Sequence, residues 1–239
     1  MKVAIAIPEN RDVILKGMFW GFLRFISSLK ENVVIIGNDG DEMVPGKTSY
    51  IDNMRNRLVE RARELECTHI LFLDSDTIPP PGALGKLLQA KKDIIGGVYR
   101  FRVPPYRVLA FWYAVNRYLP LSDLFENKIM PVEAVGMGCT LINMSVFEKL
   151  ERPYFYNGYV DFNSPYAKDD SAFDGKRYIG EDVYFCEKAA MAGFEIFLHT
   201  GVQSDHITQV YIPGNLKTPE QSIVSDHQES NFIKFGGTE

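Results

Sequence analysis

Along residues 1–99 the apolar positions switch between two spacings. Short apolar runs at Val3 to Ile7, Val33 to Ile36, Ile70 to Leu73 and Asp93 to Tyr99 have the length and flanking turn residues of buried strands. Between them the spacing is helical. Phe19, Phe22, Leu23, Ile26 and Leu29 spread along a helix from Met18 to Lys30, and Met54, Leu58, Ala62 and Leu65 form one stripe of a second helix. Ser49-Tyr-Ile-Asp52 has the form of a capping box ahead of that second helix. Gly37-Asn-Asp-Gly40 ends the second strand with turn chemistry. Pro79-Pro-Pro-Gly82 opens a third helix with Leu84, Leu87 and Leu88 inward, since proline is tolerated in a first turn. Strand and helix in alternation predict an α/β fold, a mostly parallel central sheet flanked by helices.

Beyond Arg100 the rhythm loosens. From Arg100 to Pro131, prolines, aromatics and Arg100, Arg102, Arg107 and Arg117 mix without a period and read as a loop-rich insertion. Val132 to Asn143 reads as a strand interrupted by Gly136 and Gly138, and Ser145-Val-Phe-Glu148 as a second capping box opening a short helix. Tyr154 to Lys176 reads as loop, Glu181 to Ala192 as a helix closed by Gly193, and Glu195 to His199 as the last clear strand. There is no internal repeat. The expected organisation is one domain over residues 1–212 and a polar tail over residues 213–239.

Composition narrows this picture. Hydrophobic residues make up 46% of the 239, which excludes a mainly disordered chain. A formal charge of −5 gives no global electrostatic footprint for nucleic acid. Cys67, Cys139 and Cys186 are far apart and odd in number, so a disulfide scaffold is not expected and a reducing, cytoplasmic location is. The opening apolar run is too short for a signal peptide. Met18 to Leu29 carries Arg24 and is shorter than a bilayer span, so no integral membrane segment is expected. Phe111-Trp-Tyr113 leaves peripheral membrane contact open, with burial the simpler reading.

The candidate chemistry lies where the third strand stops. His69-Ile-Leu-Phe-Leu-Asp-Ser-Asp-Thr77 drives an apolar run into two carboxylates one residue apart. In a continuing strand Asp74 and Asp76 share one side while Ser75 faces away. Ligands of open α/β sheets sit outside the carboxyl ends of the strands, and two acids there suit a hard divalent cation with a phosphate behind it. A strand ending in a plain polar turn is the alternative. Asp76, farther out, is the better direct ligand. Asp74 would reach the ion through water or hold a ribose hydroxyl.

Four more groups join it. Arg55 is a planar fork suited to phosphate, although Arg57, Arg61 and Arg63 on the same helix favour a solvated face. Gly136-Met-Gly-Cys139 marks a close backbone approach, to a ligand or to a packed neighbour. Glu181 and Asp182 complement the positive end of a helix, and Asp182 is also placed to accept a proton from an attacking hydroxyl. His206, in Ser204-Asp-His-Ile207, offers an imidazole suited to manganese, whereas His69, His199 and His227 read as structural.

In this order the pieces resemble the GT-A glycosyltransferases, most of all the small family-two-like members of bacteria, archaea and their viruses. The matching residues are Ile5-Ala-Ile-Pro8, Met54-Arg-Asn-Arg57, Leu71-Phe-Leu-Asp-Ser-Asp76, Gly136-Met-Gly-Cys-Thr140, Gly180-Glu-Asp182 and His206, spanning residues 3 to 207. The resemblance implies transfer of a sugar from a nucleoside-diphosphate sugar to an acceptor hydroxyl, dependent on Mn2+ or Mg2+. It makes residues 1–99 the nucleotide-binding half and residues 100–212 the acceptor and metal half. Asp74 and Asp76 would be the Asp-x-Asp motif, with Asp74, Asp76 and His206 at the metal. Asp182 would be the base, as in inverting relatives, with Glu181 beside it. Pro8, Glu9, Asp39, Arg55, Asn56, Asp74, Ser75 and Gly138 would line the donor, a UDP-sugar ahead of a GDP-sugar. Asn38-Asp-Gly-Asp41 matches the family's base-reading turn only loosely. A glycan, a lipid, a protein and a modified nucleic acid are all compatible acceptors.

Two other readings use the same residues. Asp74-Ser-Asp-Thr77 also fits the Asp-x-Asp-x-Thr signature of haloacid-dehalogenase-like phosphatases, where Asp74 would be a nucleophile. That family carries its motif on the first strand, and here a strand–helix–strand–helix unit precedes it. A non-catalytic nucleotide-sugar-binding module is the other.

Overall fold

The computed structural model describes residues 1–8, 16–37, 51–114, 117–121, 126–161 and 176–208. The first half alternates as its apolar runs require: β1 (Val3–Ala6), α1 (Lys16–Ser27), β2 (Val33–Ile36), α2 (Ile51–Glu64), β3 (His69–Leu73), β4 (Thr77–Ile78), α3 (Ala83–Gln89) and β5 (Ile94–Val98). The second half holds β6 (Ala110–Ala114), β7 (Arg117–Pro120), β8 (Ile129–Val132), β9 (Ala134–Val135), β10 (Cys139–Asn143) and α4 (Met144–Glu148). It continues with β11 (Gly158–Asp161), β12 (Lys176–Ile179), α5 (Glu181–Met191), β13 (Ile196–Gln203) and β14 (Asp205–His206).

The central sheet has seven strands in the order β2-β1-β3-β10-β5-β13-β8. Alternation along its strands divides the core into two layers. Val3, Ile5, Leu71 and Leu73 pack with Phe25 of α1 and Leu84 and Leu87 of α3. Ala4, Ala6, Ile70 and Phe72 face the other way, onto Leu58 of α2, Phe147 of α4 and Phe185 of α5. The result is a sheet covered by helices on both faces, as the alternating half of the sequence predicts.

The sheet is mixed rather than parallel throughout. β1 is parallel to β2 and β3, and β5 to β13. β10 lies antiparallel between β3 and β5, and β8 closes the edge antiparallel to β13. This reversal shapes the site. Because β10 runs the other way, its leading end meets the trailing ends of β3 and β5. Cys139 pairs with Leu73, and the carbonyl of Gly138 accepts from the amide of Asp74 at 3.1 Å.

Several local expectations need correction. Residues 100–131 contain the β6–β7 hairpin and β8, not only loop. Val132 to Asn143 is the end of β8, then β9 and β10, with Gly136–Gly138 as a turn between the last two. Asn143, not Ser145, caps α4, its side chain accepting from the Ser145 amide. The run Pro79–Pro81 lies before α3, whose cap is Gly82 at φ 76°, a left-handed conformation that suits glycine. Part of the expected 154–176 loop is a ribbon, β11 against β12. Ser49 of the first capping box, Glu9, Asp39 and the tail beyond residue 208 lie outside the described residues.

Candidate functional site

β3 ends at Leu73, so Asp74-Ser75-Asp76 is a turn and not a strand, closed by the Thr77 amide donating to the Asp74 carbonyl at 3.0 Å. The shared-side geometry expected of a strand therefore does not apply. The two carboxylates go to separate partners: Asp74, 26% exposed, to a buried arginine, and Asp76, 12% exposed, to an arginine that reaches solvent.

Asp74 pairs with the buried arginine. Its Oδ1 accepts from Nη2 of Arg55 at 2.8 Å, and Nε of the same guanidinium lies 3.4 Å from Oε1 of Glu181. Arg55 is 2% exposed and stands over the Phe72 ring at 5.3 Å. It is not part of a solvated face. Only its neighbours are, with Arg61 and Arg63 in surface pairs to Glu64 and Glu60. Burial alone would lower the pKa of Arg55, but Asp74 and Glu181 outweigh it and hold the group above its ordinary value. Its Nη1 is buried with no hydrogen-bond acceptor among the described residues.

Asn56 points elsewhere. Its Oδ1 accepts from the amides of Tyr154 and Phe155 at 2.9 and 3.2 Å, and its Nδ2 donates to the carbonyls of Asp52 and Phe155 at 2.9 and 2.8 Å. Asp52 adds the amide of Asn157 at 3.0 Å. The first turns of α2 thus hold the segment 154–157. Against the expectation of a donor contact, the Asn56 amide is fully committed to backbone.

Tyr99, at the end of β5, stands between the two clusters. Its hydroxyl accepts from the Gly138 amide at 2.9 Å, and its ring meets that of His206 edge-on at 5.3 Å. Both glycines of the β9–β10 turn make room for it. A Cβ on Gly136 would lie 2.1 Å from the Tyr99 hydroxyl, and one on Gly138 would lie 2.8 Å from Cζ of that ring and 2.9 Å from Oδ2 of Asp74. The close approach predicted for this turn is made by protein. Burial, reinforced by the charges of Asp74 and Asp182, keeps the Tyr99 hydroxyl protonated well above the usual tyrosine range.

Asp76 anchors the second cluster. β14 pairs with β4 and sets His206 opposite Thr77, while the Ile207 amide donates to the Asp76 carbonyl at 2.8 Å. Nδ1 of His206 donates to the carbonyl of Arg100 at 2.6 Å, and Nε2 accepts from Nε of Arg102 at 3.0 Å. This pattern fixes the tautomer and leaves the Nε2 lone pair turned inward, 3.4 Å from Oδ1 of Asp76. The Arg102 guanidinium also binds Oδ2 of Asp76. A carboxylate facing an oriented imidazole nitrogen suits Mn2+ or Mg2+. No group of three His, Cys, Asp or Glu among the described residues is close enough to hold an ion alone. An ion here would complete its shell with water or phosphate, as Mg2+ commonly does.

Asp182 opens α5 after Gly180, its Oδ1 accepting from the Val183 amide at 2.8 Å. Burial pushes its pKa up to about 7, helped by the charge of Glu181 and opposed by Arg55. A carboxyl group poised there can exchange a proton near neutrality. The helix behind it is pinned: Arg177 of β12 pairs with Glu187 at 3.3 Å, and the Tyr118 hydroxyl donates to Glu187 at 2.9 Å.

Of the remaining predicted residues, Pro8 is buried just past β1 and Ser75 is partly exposed on the turn. His199 accepts the Gly201 amide on Nδ1 at 3.1 Å, and Nδ1 of His69 lies 2.9 Å from the Thr68 hydroxyl, both local roles; His227 is outside the described residues. Tyr99 and Arg102 are the members that the sequence did not single out.

No protein-family model and no curated protein matches the sequence. Among solved structures, the fold is similar to the crystal structure of A197 from STIV, with a TM-score of 0.57, 19% identity and 87% of both chains covered. The crystal structure of GalNAc-T7 with UDP, GalNAc and Mn2+ is a more distant likeness, at TM-score 0.49 and 10% identity, spanning 87% of this chain and 44% of that one. At these identities the likeness is one of fold.

Proposed function

We propose that the chain is a metal-dependent GT-A glycosyltransferase that moves a sugar from a nucleoside-diphosphate sugar to an acceptor hydroxyl. The observation that carries this reading is the meeting of Asp76 with the inward-turned Nε2 of His206 at the carboxyl edge of the sheet, 3.4 Å apart. Asp182 stands on the same edge with its pKa raised to about 7. Strand ends are where an open α/β sheet takes its ligand, and the two groups have the chemistry of a metal ligand and of a base.

In this reading Asp76 and His206 would hold Mn2+ or Mg2+, with Asp74 as a further candidate ligand. Bound there, the ion would stabilise the negative charge that builds on a departing diphosphate. Asp182 accepts the proton of the acceptor hydroxyl as its oxygen attacks the anomeric carbon. The bond from that carbon to the diphosphate breaks, and its electron pair leaves with the phosphate oxygen. This single displacement inverts configuration. Arg55 stabilises Asp74 and Glu181 as carboxylates, and its unmatched Nη1 is a spare donor for an anion. Asn56 and Asp52 act at one remove, holding the 154–157 segment beside α5. Tyr159 and Tyr178, exposed and edge-to-face at 5.5 Å on the ribbon leading into Glu181, offer aromatic faces to a sugar acceptor. A UDP-sugar is the preferred donor. Pro8, Glu9, Asp39, Ser75 and Gly138 remain assigned to the donor side.

The phosphatase alternative needs Asp74 as a free nucleophile, whereas Asp74 is paired with Arg55 at 2.8 Å. A thermal-shift panel of UDP, GDP, CDP and dTDP, each with and without Mn2+, separates the readings. Metal-dependent stabilisation by one nucleotide supports the transferase. Stabilisation by none, with phosphate released from simple esters, refutes it. A non-catalytic module would be stabilised in the same way but would release no UDP from a UDP-sugar.

A further inference from the structure

Two segments expose apolar side chains next to arginines, and neither contains an acid. The first is α1. Phe25 is buried on its core side, whereas the opposite face shows Phe19 and Trp20, 45% and 54% exposed, with Leu23 and Arg24 beside them. A helix apolar on both faces belongs under cover. Beside Trp20 lies a shallow hollow of about 470 Å³, walled by Leu23, Arg24, Ser27, Ser28 and Pro81. The second segment is a narrow hairpin that rises from Tyr99. Arg100 bridges Val108, the Phe101 amide donates to the Arg107 carbonyl at 2.9 Å, and the Tyr106 amide donates to the Val103 carbonyl at 2.8 Å. Nη1 of Arg100 donates to the Tyr106 carbonyl at 3.0 Å, and Arg102 ties the hairpin to Asp76 and His206. This well-held tip turns Val103, Pro104, Pro105 and Tyr106 to solvent, with Arg100 and Arg107 exposed on its two legs. From Ile94 to Ser122 the sequence has Arg100, Arg102, Arg107 and Arg117 and no acid, in a chain of net charge −5.

Both segments meet the same small ribbon. A Cβ on Gly21 would lie 2.6 Å from the Ile78 side chain, so α1 sits on β4, while Nδ1 of His206 in β14 donates to the Arg100 carbonyl. β4 and β14 pair with each other. Helix and hairpin thus flank the ribbon that carries His206. We propose that this face docks on an anionic lipid surface, with Phe19, Trp20, Val103 and Tyr106 entering the headgroup layer and Arg24, Arg100 and Arg107 meeting lipid phosphates. The inference goes beyond the transferase reading and does not depend on it.

Three features favour a lipid surface over another protein. Apolar side chains at a tip, with cations set back on the legs, match the layering of a bilayer interface, where phosphates lie outside the hydrocarbon. Trp and Tyr are the aromatics that settle at that level, with an apolar ring and a wet polar atom. A chain of negative net charge is attracted to an anionic surface only where its own acids are locally absent, because charges farther off are screened. α1 and residues 94–122 both lack acids. The docking is peripheral, since no helix among the described residues is long and apolar enough to cross a membrane.

Flotation of the full chain with lipid vesicles tests this without any turnover. The chain should float with vesicles of phosphatidylcholine mixed with phosphatidylglycerol and far less with phosphatidylcholine alone, and added salt should release it. Arg107→Gln should weaken binding about fivefold, the worth of one cation at an anionic surface. Trp20→Gln should weaken it roughly tenfold through lost apolar contact. Both positions are exposed, so thermal melts of the two variants should match that of the unaltered chain. Equal flotation with both kinds of vesicle, or flotation unchanged by either substitution, overturns the inference. So does an absence of flotation at low salt, whether the face stays bare or pairs with a second copy, seen in sedimentation as a dimer that Trp20→Gln disperses.

Discussion

Two arginines reach into the same sheet edge and do opposite things there. Arg55, on a helix under the sheet, is 2% exposed and holds Asp74 and Glu181, while the Arg102 side chain, on a hairpin above it, is 39% exposed and holds Asp76 and His206. Their partners are one residue apart at Asp74 and Asp76, so charge type does not distinguish them. Burial does. A buried pair cannot lose one member without leaving an uncompensated charge in a poor solvent. The Arg102 guanidinium keeps part of its hydration, so less desolvation is tied up in its side of the pair. One carboxylate of the turn is held by a buried cation, and the other by a cation that reaches solvent.

The largest break in this contrast should come on the buried side, at Asp182. Asp182→Asn should cut the rate of transfer by about 10²–10⁴, the usual worth of a general base. Metal-dependent binding of UDP should be nearly unchanged, as titration calorimetry would show, and a variant of full activity would remove Asp182 from the base role. Next comes Arg55→Met, which should lower the free energy of unfolding by about 3–5 kcal/mol, against a smaller loss for Arg102→Met, whose own side chain is 39% exposed. Urea unfolding of the two variants checks the difference directly. Equal losses would mean that burial does not separate the two arginines.

Gly138→Ala sharpens the comparison at its midpoint. The new methyl would meet Tyr99 at 2.8 Å and Asp74 at 2.9 Å, two groups that have little room to move. It should cost about 1–3 kcal/mol in stability, again read by urea unfolding.

A further effect is one of pH. The pKa of Asp182 is raised from 3.8 to about 7 in the folded chain, so the folded state binds this proton more tightly than the unfolded one. Its contribution to stability is complete below pH 3.8 and is lost as pH climbs to about 7. Relative to Asp182→Asn, the unaltered chain should lose stability between pH 4.5 and 7.5 in denaturant titrations. Transfer should run the other way, rising with pH up to about 7 as the base is freed.

How much of this was written in the sequence differs between the two sides. The α/β alternation of residues 1–99 was legible because strand and helix periods differ and each element is bounded by turn residues. The direction of β10 was not, since an apolar run reads the same either way along a sheet. Asp76, His206 and Asp182 stood out by type and position. Arg55 was diluted by Arg57, Arg61 and Arg63. Its signal was its register: it lies three and four residues before Leu58 and Val59, inside the buried stripe. Tyr99 and Arg102 were hidden because their partners lie across the fold. The two glycines at 136 and 138 were the trace of Tyr99, marking where something bulky had to fit.

Release of UDP from a UDP-sugar panel tests the central claim most directly. With Mn2+ and no acceptor, the chain should slowly hydrolyse one donor; chelator should stop it, and both Asp76→Asn and His206→Ala should suppress it. Release that persists undiminished in those variants, or phosphate freed from simple esters through an acyl phosphate on Asp74, would contradict the account.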